Sequence, residues 1–382
     1  MMLGLASYAL MGIVSSFHIG NSLMNDGLGN YVGSGMNRTY GIEAIADLYG
    51  HDDYVMSMHI DSSQAMHSIW DNPNGVGVID VTPREPYGLY SNALTNYHWD
   101  HVLLEPYLGQ DATFGTDKTA MANFINLTRQ NPANHDTVFY VYQVWPRTFD
   151  GNYSTAWLSP SPNDDLTLTR AKRQYYDNFM DWAHETYNPQ GILVREIPVG
   201  EVWHRINLMI ESGAITGITT ADLYRDQLHA SESLGRYLAA ATNFATMFQT
   251  DIRGLVPPVG QFGASYPQSL YDIFNKVIWE VVTSDSDTGI ADFNDDGYIS
   301  QSDLTIWRNA FGVSAAGDTD GDGDTDGRDF LNWQRNYGGE PPALNVGISI
   351  GVPEPSAALL AVLGSLGAFS RRRRLSKRPS WH

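Results

Sequence analysis

The chain contains no cysteine. That absence excludes disulfide bonds, cysteine-ligated zinc and thiol catalysis together. It leaves export open, because many exported bacterial proteins lack disulfides. Basic residues are also scarce: 23 Lys and Arg stand against 43 Asp and Glu, a formal charge of −20. So acidic a surface does not bind nucleic acid through its general electrostatics. The acidity has an address. Asp is crowded between Asp285 and Asp329, whereas Arg371 to Arg374 form a compact basic block. Local acidity of that kind suits cation binding.

With 382 residues, 42% of them hydrophobic, the chain can build one large core and smaller appendages. An aromatic share of 12% fits a sugar-handling surface and ordinary core packing alike. Residues 1–16 (MMLGLASYALMGIVSS) are apolar and rich in small side chains, like the hydrophobic region of a signal peptide, but no Lys or Arg precedes them. The alternatives are a first buried strand over Gly12 to Ile19, or a start codon that omits part of a signal.

From there to about Gly254, short apolar runs alternate with longer amphipathic ones. Val102 to Leu104, Thr137 to Val144 and Gly191 to Ile197 read as buried strands. Lys118 to Gln130, Leu168 to Tyr187 and Ser233 to Gln249 have helical spacing of apolar positions. Strand–helix alternation over such a length predicts an α/β domain with a parallel sheet, spanning 17–255. A Pro/Gly-bearing stretch, a helix over Ser269 to Val282 and a polar SDSDT run make 256–288 a linker with a helix. Residues 289–340 form a separate module.

Within that module, two segments fit the EF-hand loop, whose positions 1, 3, 5, 7 and 12 supply oxygens and whose position 6 is Gly. Asp292, Asn294, Asp296, Tyr298 and Asp303 occupy the ligand positions of the first, with Gly297 at the turn. Asp318, Asp320, Asp322, Asp324 and Asp329 occupy those of the second, with Gly323 at the turn. A hard cation wants six to eight oxygens, and alternate residues of a tight loop point theirs inward. An amphipathic stretch follows each loop, Leu304 to Phe311 and Phe330 to Tyr337. With Asp at position 12 and no full helix before the loop, the pair resembles dockerin type I repeats. The resemblance implies a small all-α, EF-hand-like domain, two Ca2+ sites and a cohesin-like partner.

After a spacer at 341–351 come Val352-Pro353-Glu354-Pro355, an apolar stretch from Ser356 to Phe369, and Arg371 to Arg374. The apolar run is short for a full membrane span, and the arginines would hold its end on the cytoplasmic side. Residues 352–375 resemble the PEP-CTERM sorting signal. That resemblance implies a C-terminal hydrophobic helix anchored in the membrane, an exosortase-type processing enzyme as partner, and export to the cell surface or the exterior.

Phe17-His18-Ile19-Gly20-Asn21-Ser22-Leu23 reads as a strand entering a tight turn that carries a serine. Far downstream stands Asp222-Leu223-Tyr224-Arg225-Asp226-Gln227-Leu228-His229, ahead of Leu234-Gly235-Arg236-Tyr237. An Asp three residues before a His can orient the imidazole, which can then act as base for a serine hydroxyl. These blocks, their order and their separation resemble the SGNH/GDSL hydrolases over residues 17–254. The resemblance implies a flavodoxin-like three-layer α/β domain. It also implies Ser22 as nucleophile, His229 as general base and Asp226 as its orienter, with Asp222 the alternative acid at an unsuitable offset. The implied reaction is hydrolysis of an acyl or acetyl ester, such as one on a surface polysaccharide, and needs no cofactor.

Two blocks depart from the family pattern, which completes the oxyanion hole with a Gly and an Asn. Ser62 or Ser63 stands where the Gly is expected, and Glu105 where the amide is. An ionised Glu cannot donate to an oxyanion, which leaves the Ser22 N–H and the Asn21 or Gln143 side chains as donors. The departures keep a second reading open: a catalytically decayed fold that binds glycan or a protein. A third makes the chain a scaffold component docked through its calcium module. His18, His67, His184 and His204 are candidate site residues or plain structural groups. Trp70, Trp99 and Trp145 are candidates for a sugar cleft or for the core.

Overall fold

A computed structural model of the chain describes residues 14–29, 31–32, 39–75, 83–106, 112–148, 153–159, 172–263, 265–283, 291, 293, 300–314, 316–317 and 324–336. Its strands are β1 (Ser15–Gly20), β2 (Tyr31–Val32), β3 (Thr39–Tyr40), β4 (Val55–Ile60), β5 (His101–Leu104), β6 (Val138–Tyr142) and β7 (Val194–Ile197). The helices are α1 (Ser22–Gly27), α2 (Gly41–Leu48), α3 (Met66–Asp71), α4 (Tyr90–Asn96), α5 (Phe114–Thr128), α6 (Tyr153–Leu158), α7 (Arg173–Tyr187), α8 (Val199–Glu211), α9 (Leu234–Phe248), α10 (Gln268–Thr283), α11 (Gln301–Ala310) and α12 (Gly327–Asn336).

Five strands pair in the order β4-β1-β5-β6-β7, and every pairing is parallel. β1 lies between β4 and β5, with Phe17 facing Ser57 on one side and Val102 on the other. It is buried along its whole length. Strands sheltered on both faces read as continuous apolar runs rather than alternating ones, which is why Val102-Leu103-Leu104 was visible as a strand. Around the sheet, α1, α2, α8, α9 and α10 pack as one group, while α3, α4, α5 and α7 form another. α9 is buried nearly all round, and its Ala239-Ala240-Ala241 run lets neighbouring helices approach closely.

The boundaries differ from the sequence-based expectations at three places. Ser15 and Ser16 already belong to β1, so the domain begins before residue 17. α5 starts at Phe114, four residues before Lys118, because Thr113 caps it: the Thr113 hydroxyl oxygen accepts the Thr116 N–H at 3.0 Å. The segment taken as a linker with a helix is part of the main core. Leu270, Tyr271, Phe274, Val277, Ile278 and Val281 of α10 join the same buried cluster as the sheet, so this core runs through residue 283.

A second, separate apolar cluster holds Ala291, Leu304 and Trp333, with Phe293, Trp307 and Phe330 packed against it. Here α11 and α12 repeat each other with an offset of 26 residues, seen in reciprocal bonds. Trp307 Nε1 donates to the Asp326 carbonyl at 3.0 Å, and Trp333 Nε1 donates to the Ser300 carbonyl at 3.0 Å. Each helix is also capped alike, the Ser300 N–H donating to Asp303 Oδ2 and the Asp326 N–H to Asp329 Oδ2. Among the described residues no helix is long and apolar enough to cross a membrane. Residues 1–13 of the expected lead segment at 1–16, the spacer at 341–351 and the sorting segment at 352–375 lie outside the described residues.

Candidate active site

β1 ends at Gly20, and α1 begins two residues later. A side chain at Gly20 would run into the Glu105 carboxyl and the Met24 side chain, so only glycine lets the strand turn here. Asn21 caps α1, its Oδ1 accepting the Leu23 N–H at 3.0 Å, and its amide nitrogen donates to the Gln64 carbonyl at 3.2 Å. Ser22 is thereby presented at the carboxyl end of β1, where ligands of open parallel sheets bind. Its own N–H has no hydrogen-bond partner among the described residues.

The loop before α9 meets this serine. His229 Nε2 lies 3.0 Å from Ser22 Oγ, and His229 Nδ1 lies 2.9 Å from Asp226 Oδ2. Asp226 Oδ1 accepts the N–H groups of Leu228 and His229, both at 2.8 Å. Burial pushes the Asp226 carboxyl upward, but those N–H groups and the His229 ring outweigh it and hold it at about 2. The group is therefore an acceptor at any ordinary pH. The rejected acid, Asp222, takes the N–H and hydroxyl of Thr219 and caps a short turn instead.

Three further elements hold the loop. Trp145, just past β6, donates its Nε1–H to the Leu228 carbonyl at 2.8 Å and stacks on Trp203 at 4.5 Å. Thr148 donates its N–H to the Gln227 carbonyl at 3.0 Å. From below, Asp26 of α1 accepts the Ala230 N–H at 3.0 Å.

The two departures from the family pattern have distinct places. Glu105, just past β5, is fully buried. Its Oε2 accepts the N–H groups of Asn21 and Met24, both at 3.0 Å, which braces the serine turn from beneath. Burial drives this carboxyl up to about 8 against the pull of those two N–H groups, so it is neutral at pH 7. The turn at 61–64 docks on the serine turn through the Asp61 N–H, which donates to the Gly20 carbonyl at 3.0 Å. Within it Ser63 has φ +61°, a left-handed conformation that favours glycine. Gln143 is tied elsewhere, its Oε1 accepting the Glu201 N–H at 3.1 Å.

The remaining candidates are not brought to the triad. His18 is buried against Ser16, with its pKa lowered to about 3 by burial and then by His101 and Arg84. His184 bonds the Val194 carbonyl, and His204 is buried beside Tyr153. Trp99 and Trp145 are core residues. Trp70 differs: with His67, Asp71, Thr113, Thr116 and Asn123 it lines a groove of about 390 Å³.

In the module at 289–340, Asp324 and Asp329 converge with Asp326, their carboxylate oxygens within 4.8 Å of one another. Asp326 falls at position 9 of the loop, a position whose ligand often acts through water and which the expected ligand set omitted. Three hard oxygen donors converging in this way fit Ca2+. Asp303 is described, capping α11. Asp292, Asn294, Asp296, Tyr298, Asp318, Asp320 and Asp322 lie outside the described residues.

No protein-family model matches the sequence, and no curated protein matches it. Among solved structures, the fold is similar to a DUF4886 family protein from Bacteroides uniformis, at 15% identity and a TM-score of 0.45, covering 71% of this chain and 95% of that one. It is also similar to an acetyl xylan esterase, at 12% identity and 0.37, covering 61% of this chain and 98% of that one. A lipase from a goat rumen metagenome matches at 11% identity and 0.35, covering 61% and 96%. At such identities and scores the site's chemistry rests on this chain's own residues.

Proposed function

We propose that the chain is a serine ester hydrolase of the SGNH type, working through an acyl-enzyme on Ser22. The observation that carries this is the continuous relay from Ser22 Oγ to His229 to Asp226, at 3.0 and 2.9 Å. Ser22 Oγ adds to the ester carbonyl carbon while its proton passes to His229 Nε2. Asp226, ionised and fixed by two backbone N–H groups, holds the ring's orientation and stabilises the imidazolium. The developing oxyanion takes the Ser22 N–H, which has no other duty. Collapse expels the alcohol, protonated by His229. Water then attacks the acyl-enzyme with His229 as base, releasing the acid and free Ser22.

The substrate we propose is an acyl or acetyl ester on a polysaccharide. The groove around Trp70 supports this: it offers hydroxyl, amide, imidazole and carboxylate groups beside one indole, a lining suited to a polyhydroxylated ligand. Export to the cell surface, removal of the tail by an exosortase-type enzyme and a cohesin-like partner are further proposals carried by the sequence alone. So are two Ca2+ ions in residues 289–340, supported by the Asp324, Asp326 and Asp329 convergence. Bound there, calcium would crosslink each loop to its helix and take no part in ester cleavage.

The test is turnover of short-chain aryl esters and acetylated xylan by the full chain beside Ser22→Ala. The substitution is expected to lower the rate at least ~10³-fold. A folded wild type that cleaves none of several acyl lengths would instead favour a non-catalytic glycan-binding protein.

A further inference from the structure

Asp26 has no part in the relay, yet it is the most heavily engaged carboxylate near it. It sits one helical turn after Ser22 on α1, with its side chain 1% exposed. Oδ1 receives Arg236 Nε at 2.9 Å and Nη2 at 2.8 Å, while Arg225 Nη1 stands 3.4 Å away. Oδ2 receives the N–H of Ala230, the residue that follows the base, at 3.0 Å. Arg225 reaches both ways, since its Nε lies 3.8 Å from Asp226 Oδ2. Its backbone N–H donates to the His229 carbonyl at 3.0 Å.

We propose that Asp26 and Arg225 are positioning residues that fix the His229 loop on the serine-bearing helix, and so set the Ser22–His229 contact. This rests on the hydrolase reading above. The relay joins atoms 207 residues apart in sequence, on a short helix and an irregular loop, neither of which is rigid alone. Trp145 and Thr148 hold the loop from the β6 side. Among the described residues, Asp26 supplies the bonds between α1 and the loop other than the Ser22–His229 contact itself. The contacts form a ring: Ser22, α1, Asp26, Arg225, Asp226, His229 and back to Ser22. A relay displaced by about 1 Å loses on the order of 10²-fold in rate, so the ring acts on kcat rather than on substrate binding.

The experiment uses the full chain as Asp26→Asn, Arg225→Gln and the double variant. Asp26→Asn keeps the shape and an oxygen for Ala230 but removes the charge. Arg225, 34% exposed, can be shortened without opening the core. Each single variant is expected to lower kcat by about 10- to 100-fold with KM within about twofold. The double variant should fall well short of the product of the two losses, because both break one link. Labelling of Ser22 by a fluorophosphonate should slow in parallel. Amide exchange over residues 225–231 should accelerate at least about tenfold while α9 stays protected. That last arm decides the matter even if the wild type hydrolyses nothing, an outcome that would sink the hydrolase reading separately. Unchanged exchange over 225–231 in Arg225→Gln, or unchanged kcat in an active enzyme, overturns the proposal.

Discussion

The sheet domain and the module at 289–340 solve the same problem with unequal means. The sheet domain closes on one continuous core that runs from Phe17 to Val281 and includes four fully buried tryptophans. Among the described residues of 289–340, Ala291, Leu304, Ala310 and Trp333 are the buried apolar residues, with Phe293, Trp307 and Phe330 half-covered. Small cores bury little apolar surface, and small domains then draw on metals or disulfides. The difference teaches where rigidity comes from in each. The triad can rest on packing, so its turn tolerates a buried Glu105 and a left-handed Ser63. For the module, the proposed Ca2+ sites would supply that rigidity, a cation neutralising the convergent carboxylates of Asp324, Asp326 and Asp329.

The strongest way to break this contrast is to remove calcium. Chelation with EGTA is expected to unfold residues 289–340 while the sheet domain stays folded. Limited proteolysis and circular dichroism would read it, and ester turnover should not change. Equal protease resistance of α11 and α12 with and without the ion would mean the small core suffices.

Next in size is Asp226→Asn, which keeps the geometry but loses the carboxylate that selects the His229 tautomer. The expected loss in kcat is about 10³- to 10⁴-fold with little change in melting temperature. Steady-state kinetics and a thermal scan on the same preparation check both halves.

The smallest effect concerns Glu105. In the fold its carboxyl keeps its proton up to about pH 8 because it is buried, whereas in the unfolded chain it ionises near its ordinary value. Between those two pH values the unfolded state has lost a proton that the folded state retains. Stability therefore falls as pH rises through that window and levels off above about 8. Glu105→Gln keeps an oxygen for the Asn21 and Met24 N–H groups and removes the titration. It should flatten the decline, on the order of a few kcal/mol, seen as melting temperatures at pH 5.5 and 8.5. A wild type equally stable at both values would contradict the burial argument. Asp117, buried against the Tyr175 hydroxyl with its carboxyl raised to about 7, adds a second contribution of the same sign.

Much of this was legible in the chain. The α/β class with a parallel sheet followed from alternating apolar runs, and the Asp226–His229 pair from a three-residue spacing that brings both to one short loop. Helix repeats after each acidic loop followed from the amphipathic stretches Leu304 to Phe311 and Phe330 to Tyr337. What stayed hidden shares one property, partners far apart in sequence. Glu105 meets Asn21 across 84 residues, and Asp26 meets Ala230 across 204. A lone Glu after an apolar strand reads as the wrong residue for an oxyanion donor, and nothing local reveals that it braces a turn. The α10 helix was misplaced for a related reason. The Pro/Gly-bearing stretch before it looks like a linker, whereas membership of a core is settled by what the helix packs against.

By itself, the amino-acid sequence determined the residue chemistry: no thiol, an acidic address for a cation, a serine on a turn and an acid–base pair three residues apart. Periodicity and spacing encode such features locally, because they depend on 2.0- and 3.6-residue repeats and on short loops. Only the tertiary structure decided that Ser22 meets His229, that Glu105 is an acceptor beneath the turn, and that Asp26 joins α1 to the loop. Those are distances between segments brought together by packing of the whole core, and no local pattern carries them.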